Sequence, residues 1–221
     1  MRTSPLLAIL CALATLWPGA ARVSAAPSTA PTLVVLGDSL SAAYGIRPEE
    51  GWVALLAGRL RKEGYGYEVV NASVSGDTTG GGLARLPRVL ATHHPAIRAV
   101  ELGANDGLRG LPIDEMRKNL ASIVAAGRAA GAEVIVIGMR MPANYGPDYT
   151  SRFAATFPSA AKAGHAALVP FLLERVALEE ANFQADRLHP VAAAEAKLLD
   201  TVWPVLKPLL HATPVPRAAA H

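Results

Sequence analysis

Five short runs of β-branched and apolar residues punctuate the chain, at 32–36 (TLVVL), 67–71 (YEVVN), 98–102 (RAVEL), 133–139 (EVIVIGM) and 167–170 (ALVP). Runs of this length and character suit strands buried on both faces, as in a parallel sheet. Between them, apolar positions recur every three or four residues. The spacing is clearest over 113–130, where Ile113, Met116, Leu120, Ile123, Val124 and Gly127 share a face and Asp114 and Glu115 favour the helix start. Residues 49–62 and 191–210 repeat it less cleanly, the latter interrupted by Pro204 and Pro208. Strands alternating with helices predict a right-handed βαβ succession, an open parallel sheet with helices on both sides. Neither an internal repeat nor a change of composition divides residues 32–211, so one α/β/α domain is expected there.

The first 25 residues follow another pattern. Arg2 precedes an apolar run over 6–17, and Val23, Ser24 and Ala25 resemble a cleavage site. The run is too short for a bilayer span, which takes roughly 20 residues. Residues 1–25 are therefore expected to be a secretory signal. Residues 26–31 read as a short leader and 212–221 as a disordered tail. Export to the periplasm, or secretion, is the expected fate.

Half of the 221 residues (51%) are hydrophobic and 18% are charged, which excludes disorder as a description of the whole. The formal charge of +3 shrinks to 19 cations against 18 anions once Arg2 and Arg22 are set aside. With no basic run, a nucleic-acid partner is not expected. Cys11, the only cysteine, falls in the signal segment, so no intrachain disulfide or cysteine-based metal cluster is expected. His93-His94 lacks partners at ligand spacing, and neither metal nor cofactor is expected. Nothing in the sequence demands more than a monomer.

In a parallel α/β sheet ligands sit beyond the carboxyl ends of the strands, so the residues following each strand matter most. The first run is followed by Gly37-Asp38-Ser39-Leu40-Ser41, the second by Ser73-Val74-Ser75-Gly76-Asp77, and the third by Gly103-Ala104-Asn105-Asp106. Asp186-Arg187-Leu188-His189-Pro190 lies near the end. Each is an ordinary turn sequence by itself. Together they hold what acyl transfer needs: a hydroxyl (Ser39), a base (His189) and a carboxylate to orient it (Asp186). Candidate donors to a developing oxyanion are the N–H groups of Ser39 and Gly76 and the Asn105 amide. Leu108, Leu111, Pro112 and Tyr145 are candidates for an acyl pocket. Gly80-Gly81-Gly82 is read as a mobile hinge or, in preference, a closely packed helix start.

GDSLSAAYGI, SGDTTGGGLARLP, ELGANDGLRGLP, MPANYG and DRLHP resemble the sequence blocks of the SGNH (GDSL) hydrolases, most closely their bacterial thioesterase I, lysophospholipase L1 and arylesterase branch. The resemblance runs from Leu33 to about Leu210. It implies a flavodoxin-like α/β/α sandwich with five parallel strands in order 2-1-3-4-5. It also implies Ser39 as nucleophile, Gly76 and Asn105 beside it in the oxyanion hole, and Asp186 and His189 completing the triad. Departures are Ala104, where the family often has glycine, and Arg187 between the acid and the histidine. The implied activity is hydrolysis of acyl esters, including arylesters and lysophospholipids, and of acyl thioesters. A carbohydrate O-deacetylase of the same family is the alternative, and a non-catalytic lipid- or glycan-binding module a further one.

Overall fold

The structure, a computed structural model, describes residues 30–211. The expected signal segment and tail lie outside the described residues. Five strands form the sheet: β1 (Thr32–Gly37), β2 (Glu68–Asn71), β3 (Ile97–Glu101), β4 (Glu133–Ile137) and β5 (Ala167–Val169). Their order is β2-β1-β3-β4-β5 and every pairing is parallel. All five carboxyl ends therefore lie along one edge, as the alternating pattern requires. The central strands β1, β3 and β4 are buried nearly throughout, whereas β2, at the sheet's border, has exposed Glu68 and Asn71. Burial on both faces thus holds for the centre but not for this edge.

Among the described residues six α-helices accompany the sheet: α1 (Trp52–Lys62), α2 (Thr79–His93), α3 (Ala104–Leu108), α4 (Ile113–Ala129), α5 (Pro147–Ala163) and α6 (Glu195–Leu206). Helices α1 and α6 pack together in one layer, and α2, α4 and α5 in the other. Periodicity marks α4 to within a residue. The stretch expected as one helix over 191–210 is divided into α6 flanked by 3-10 turns at Ala192–Ala194 and Lys207–Leu209. Pro204 nevertheless lies inside α6. Helices α2 and α5 carry no such expectation from spacing, and both hold an interior proline, Pro87 and Pro158. A proline removes one N–H from the ladder, and tertiary packing overrides that signal here. Helix α2 starts at the glycine run, where Gly82 packs so closely on Leu102 that a Cβ would collide with it. This is the close-packed helix start.

Candidate active site

Ser39 sits where β1 turns away from the sheet. The turn is closed by the Ala42 N–H to the Asp38 carbonyl (2.9 Å) and the Leu40 N–H to Asp38 Oδ1 (3.1 Å). Far along the chain, Asp186 Oδ1 accepts the backbone N–H groups of Leu188 (2.9 Å) and His189 (3.0 Å), folding the carboxylate back over the turn that follows it. His189 Nδ1 then lies 2.7 Å from Asp186 Oδ2, and Nε2 lies 2.8 Å from Ser39 Oγ. The hydrogen bond from His189 holds Asp186 down to about 2, backed by the two backbone donors. An ionised carboxylate only accepts, so Nδ1 carries the proton and the Nε2 lone pair faces the hydroxyl. Residues 150 positions apart are thus joined in one relay.

The loops beside Ser39 are braced from several directions. Gly76 has φ +78, a backbone conformation that suits glycine, and its carbonyl accepts from Arg109 Nη2 at 2.6 Å. Asn105 Nδ2 donates to Asp38 Oδ2 (3.1 Å) and to the Asp77 carbonyl (2.9 Å). Asp106 grips the start of α2 through the Thr79 N–H (2.8 Å) and hydroxyl (2.5 Å), tying the loop after β2 to that after β3. Arg85 of α2 donates to Asp77 (2.7 Å), to the Gly37 carbonyl (3.2 Å) and to the Ala72 carbonyl.

Beneath the serine lies a buried carboxyl pair. Glu101 Oε2 accepts from the Ser41 hydroxyl (2.8 Å) and the Asp38 N–H (3.3 Å), while Oε1 is buried without a partner. Burial pushes Asp38 up to about 6 despite its hydrogen-bond donors. Burial, and then the neighbouring Asp38 charge, push Glu101 well above the ordinary carboxylate range. Two adjacent buried carboxyls cannot both ionise cheaply.

A cavity of about 590 Å³ opens beside these groups. Ser39, Gly76, Asn105 and His189 all lie on its wall, and most of the remainder is apolar: Leu40, Leu108, Met139, Met141, Phe171, Leu173 and Phe183 among others. Of the four expected acyl-pocket residues, Leu108 lines it and three do not. Leu111 is exposed on the loop beyond α3, and exposed Pro112 is the N-cap of α4. Tyr145 stacks on Tyr149 and directs its hydroxyl at the Leu108 carbonyl (3.4 Å), behind the wall rather than on it. Proximity in sequence to a strand end gave no information about the direction these side chains take.

Sequence reasoning passed over Gln184. Its Nε2 donates to the Tyr44 carbonyl (2.8 Å) and the Pro190 carbonyl (2.9 Å), stapling the serine loop to the histidine loop. Gly45, with φ +74, lies against the Gln184 side chain, where a Cβ would collide. The Tyr44 ring rests 4.4 Å from the imidazole. A lone glutamine carries no motif, so only the fold reveals it.

The chain matches the GDSL-like Lipase/Acylhydrolase family over residues 35–197. It is 52% identical to Esterase TesA of Pseudomonas aeruginosa over 83% of this chain and 91% of that protein. It is 41% identical to the Escherichia coli (strain K12) Thioesterase 1/protease 1/lysophospholipase L1, over 83% and 87% respectively. A crystal structure of TesA superposes with a TM-score of 0.80 at 52% identity, covering 81% of this chain and 99% of that one. Strand order, strand-end chemistry and these likenesses agree, and the chain belongs to the GDSL-like lipase/acylhydrolase family, the SGNH hydrolases.

Proposed function

We propose that the protein is a serine esterase in which Ser39, His189 and Asp186 form the triad and acyl esters, including arylesters and lysophospholipids, are the substrates. One observation carries the reading: the Ser39–His189–Asp186 relay, at 2.8 and 2.7 Å, opens onto a cavity with a largely apolar wall. Ser39 Oγ attacks the acyl carbonyl while His189 Nε2 takes its proton, and the imidazolium is stabilised by ionised Asp186. The N–H groups of Ser39 and Gly76 and the Asn105 amide receive the oxyanion. Both Asn105 Nδ2 hydrogens have protein acceptors, so an oxyanion takes one from Asp38 or from the Asp77 carbonyl as it forms. The protonated imidazole passes its proton to the leaving group. Water, deprotonated by His189, then attacks the acyl-enzyme, and the carboxylic acid departs as Ser39 regains its proton.

The apolar wall favours acyl chains over glycans, and acyl thioesters fit the same chemistry. Residues 1–25 are read as an export signal that sends the mature chain to the periplasm or out of the cell, and a monomer is the expected state; none of the described helices is long and apolar enough to cross a membrane. Purified protein is expected to hydrolyse nitrophenyl esters and to take up a fluorophosphonate label, both lost in Ser39→Ala. Undiminished hydrolysis by that variant would refute the assignment.

A further inference from the structure

Folding normally leaves large apolar side chains exposed as scattered singles. Among the described residues five are exposed, Tyr44, Val74, Leu111, Leu178 and Leu188, and they are not scattered. Every one sits on a connection that starts from the carboxyl end of a strand: Tyr44 after β1, Val74 after β2, Leu111 beyond α3 on the way from β3 to α4, Leu178 and Leu188 between β5 and α6. Tyr44 and Leu188 themselves line the cavity, Val74 precedes lining residue Ser75, and Leu178 follows lining residue Ala177. Leu178 is 98% exposed. The helical faces and the opposite edge of the sheet contribute none. The exposed charges on the cavity wall are two cations, Arg140 and Arg187. Each has a carboxylate near it, Glu174 at 3.6 Å and Glu180 at 2.8 Å, in solvent-exposed pairs that a competing anion displaces readily.

We propose that this edge of the molecule docks on a phospholipid bilayer. The exposed leucines, Val74 and Tyr44 enter the interfacial layer, and Arg140 and Arg187 meet lipid phosphates. Two features select this occupant. A second copy set face to face would oppose the same arginines across the contact. A protein partner seated on the apolar ring would cover the cavity mouth that the ring surrounds. A bilayer instead places the source of acyl chains against that mouth, so a chain reaches the cavity wall without crossing water. The acyl occupant of the cavity rests on the esterase reading, whereas the docking surface does not.

The test uses the chain from Ala26 onward, which holds every described element, with Ser39→Ala to prevent turnover. Co-sedimentation is measured with vesicles of equal parts phosphatidylcholine and phosphatidylglycerol. Binding is expected, with Leu178→Asp weakening it about tenfold, the effect of withdrawing one leucine side chain from an apolar phase. Val74→Asp should weaken it in the same direction, and pure phosphatidylcholine should bind less. In the chain that keeps Ser39, Leu178→Asp should leave hydrolysis of a water-soluble short-chain nitrophenyl ester unchanged. Absence of vesicle binding, or binding indifferent to Leu178→Asp and Val74→Asp, would overturn the docking surface. So would a dimer that dissociates on Leu178→Asp without vesicle binding, which assigns the ring to a second copy. Failure of the Ser39 chain to hydrolyse any ester would instead strike the esterase reading and leave vesicle binding standing.

Discussion

At Asp186 three donors converge on one carboxylate: the backbone of Leu188, the backbone of His189 and the ring of His189. The consequence is an acid held at about 2 rather than 3.8, charged throughout the range in which an esterase works. The sign follows from linkage: a depressed carboxylate adds stability that is present above 3.8 and lost as pH falls towards about 2. Asp186→Asn removes the ionised acceptor that keeps the proton on Nδ1. Its kcat should fall by about 10²–10⁴, as when the orienting acid of another triad is neutralised, with the fold intact. Steady-state kinetics beside a circular dichroism spectrum checks this, and near-normal kcat would remove Asp186 from the mechanism.

Two helix contacts show how the layers bear charge. Glu195, buried at the start of α6, accepts the Trp52 N–H at the start of α1 (2.8 Å), so one carboxylate caps another layer-mate's helix. Burial raises it to about 7 from 4.5, so its contribution to stability is full below 4.5 and lost as pH rises through about 7. Glu195→Gln keeps an acceptor but does not titrate. It should flatten the pH dependence of urea unfolding across that window by on the order of 2 kcal/mol, part of the shift being offset by the α1 macrodipole. On the other face Arg98 of β3 is fully buried under α4, in the space that Gly127 leaves, and donates to the Ile123 carbonyl. Its Nε and Nη1 have no partner, and burial lowers it to about 10. Arg98→Met should therefore stabilise the protein by about 1–3 kcal/mol in denaturant titration, since a buried charge without a counter-ion is replaced by packing.

Across the whole molecule the site depends on bringing the first strand's loop to a loop near the chain's end. The relay spans 150 residues and the Gln184–Tyr44 bond spans 140. The Gln184 side chain hydrogen-bonds neither Ser39 nor His189, and its backbone N–H meets only the His189 carbonyl (2.8 Å), so it acts as a positioning residue. Gln184→Ala should lower kcat about ten- to a hundredfold through misalignment of the relay, with KM changing little. An unchanged kcat would show that the Asp186 turn suffices alone. The same edge that assembles the relay also gathers the exposed apolar side chains, because a parallel sheet sends every carboxyl-end loop the same way.

Patterns with a short period were legible in the sequence: the five strands, α4, and the small polar clusters that follow strand ends. Strand-end placement of Ser39, Gly76 and Asn105, together with the Asp186 to His189 spacing, was enough to nominate the site. Local signals failed along α2 beyond its glycine start and at α5, where spacing is unclear and an interior proline speaks against helices that packing retains, and at Leu111, Pro112 and Tyr145, whose side-chain directions depend on elements distant in sequence. By itself the sequence determined which chemical groups exist and that they follow strands, since periodicity and turn chemistry act over a few residues. Only tertiary structure decided which groups touch, which carboxyls are buried beside one another and which apolar side chains remain in water, because each of these is set by contacts between segments far apart along the chain.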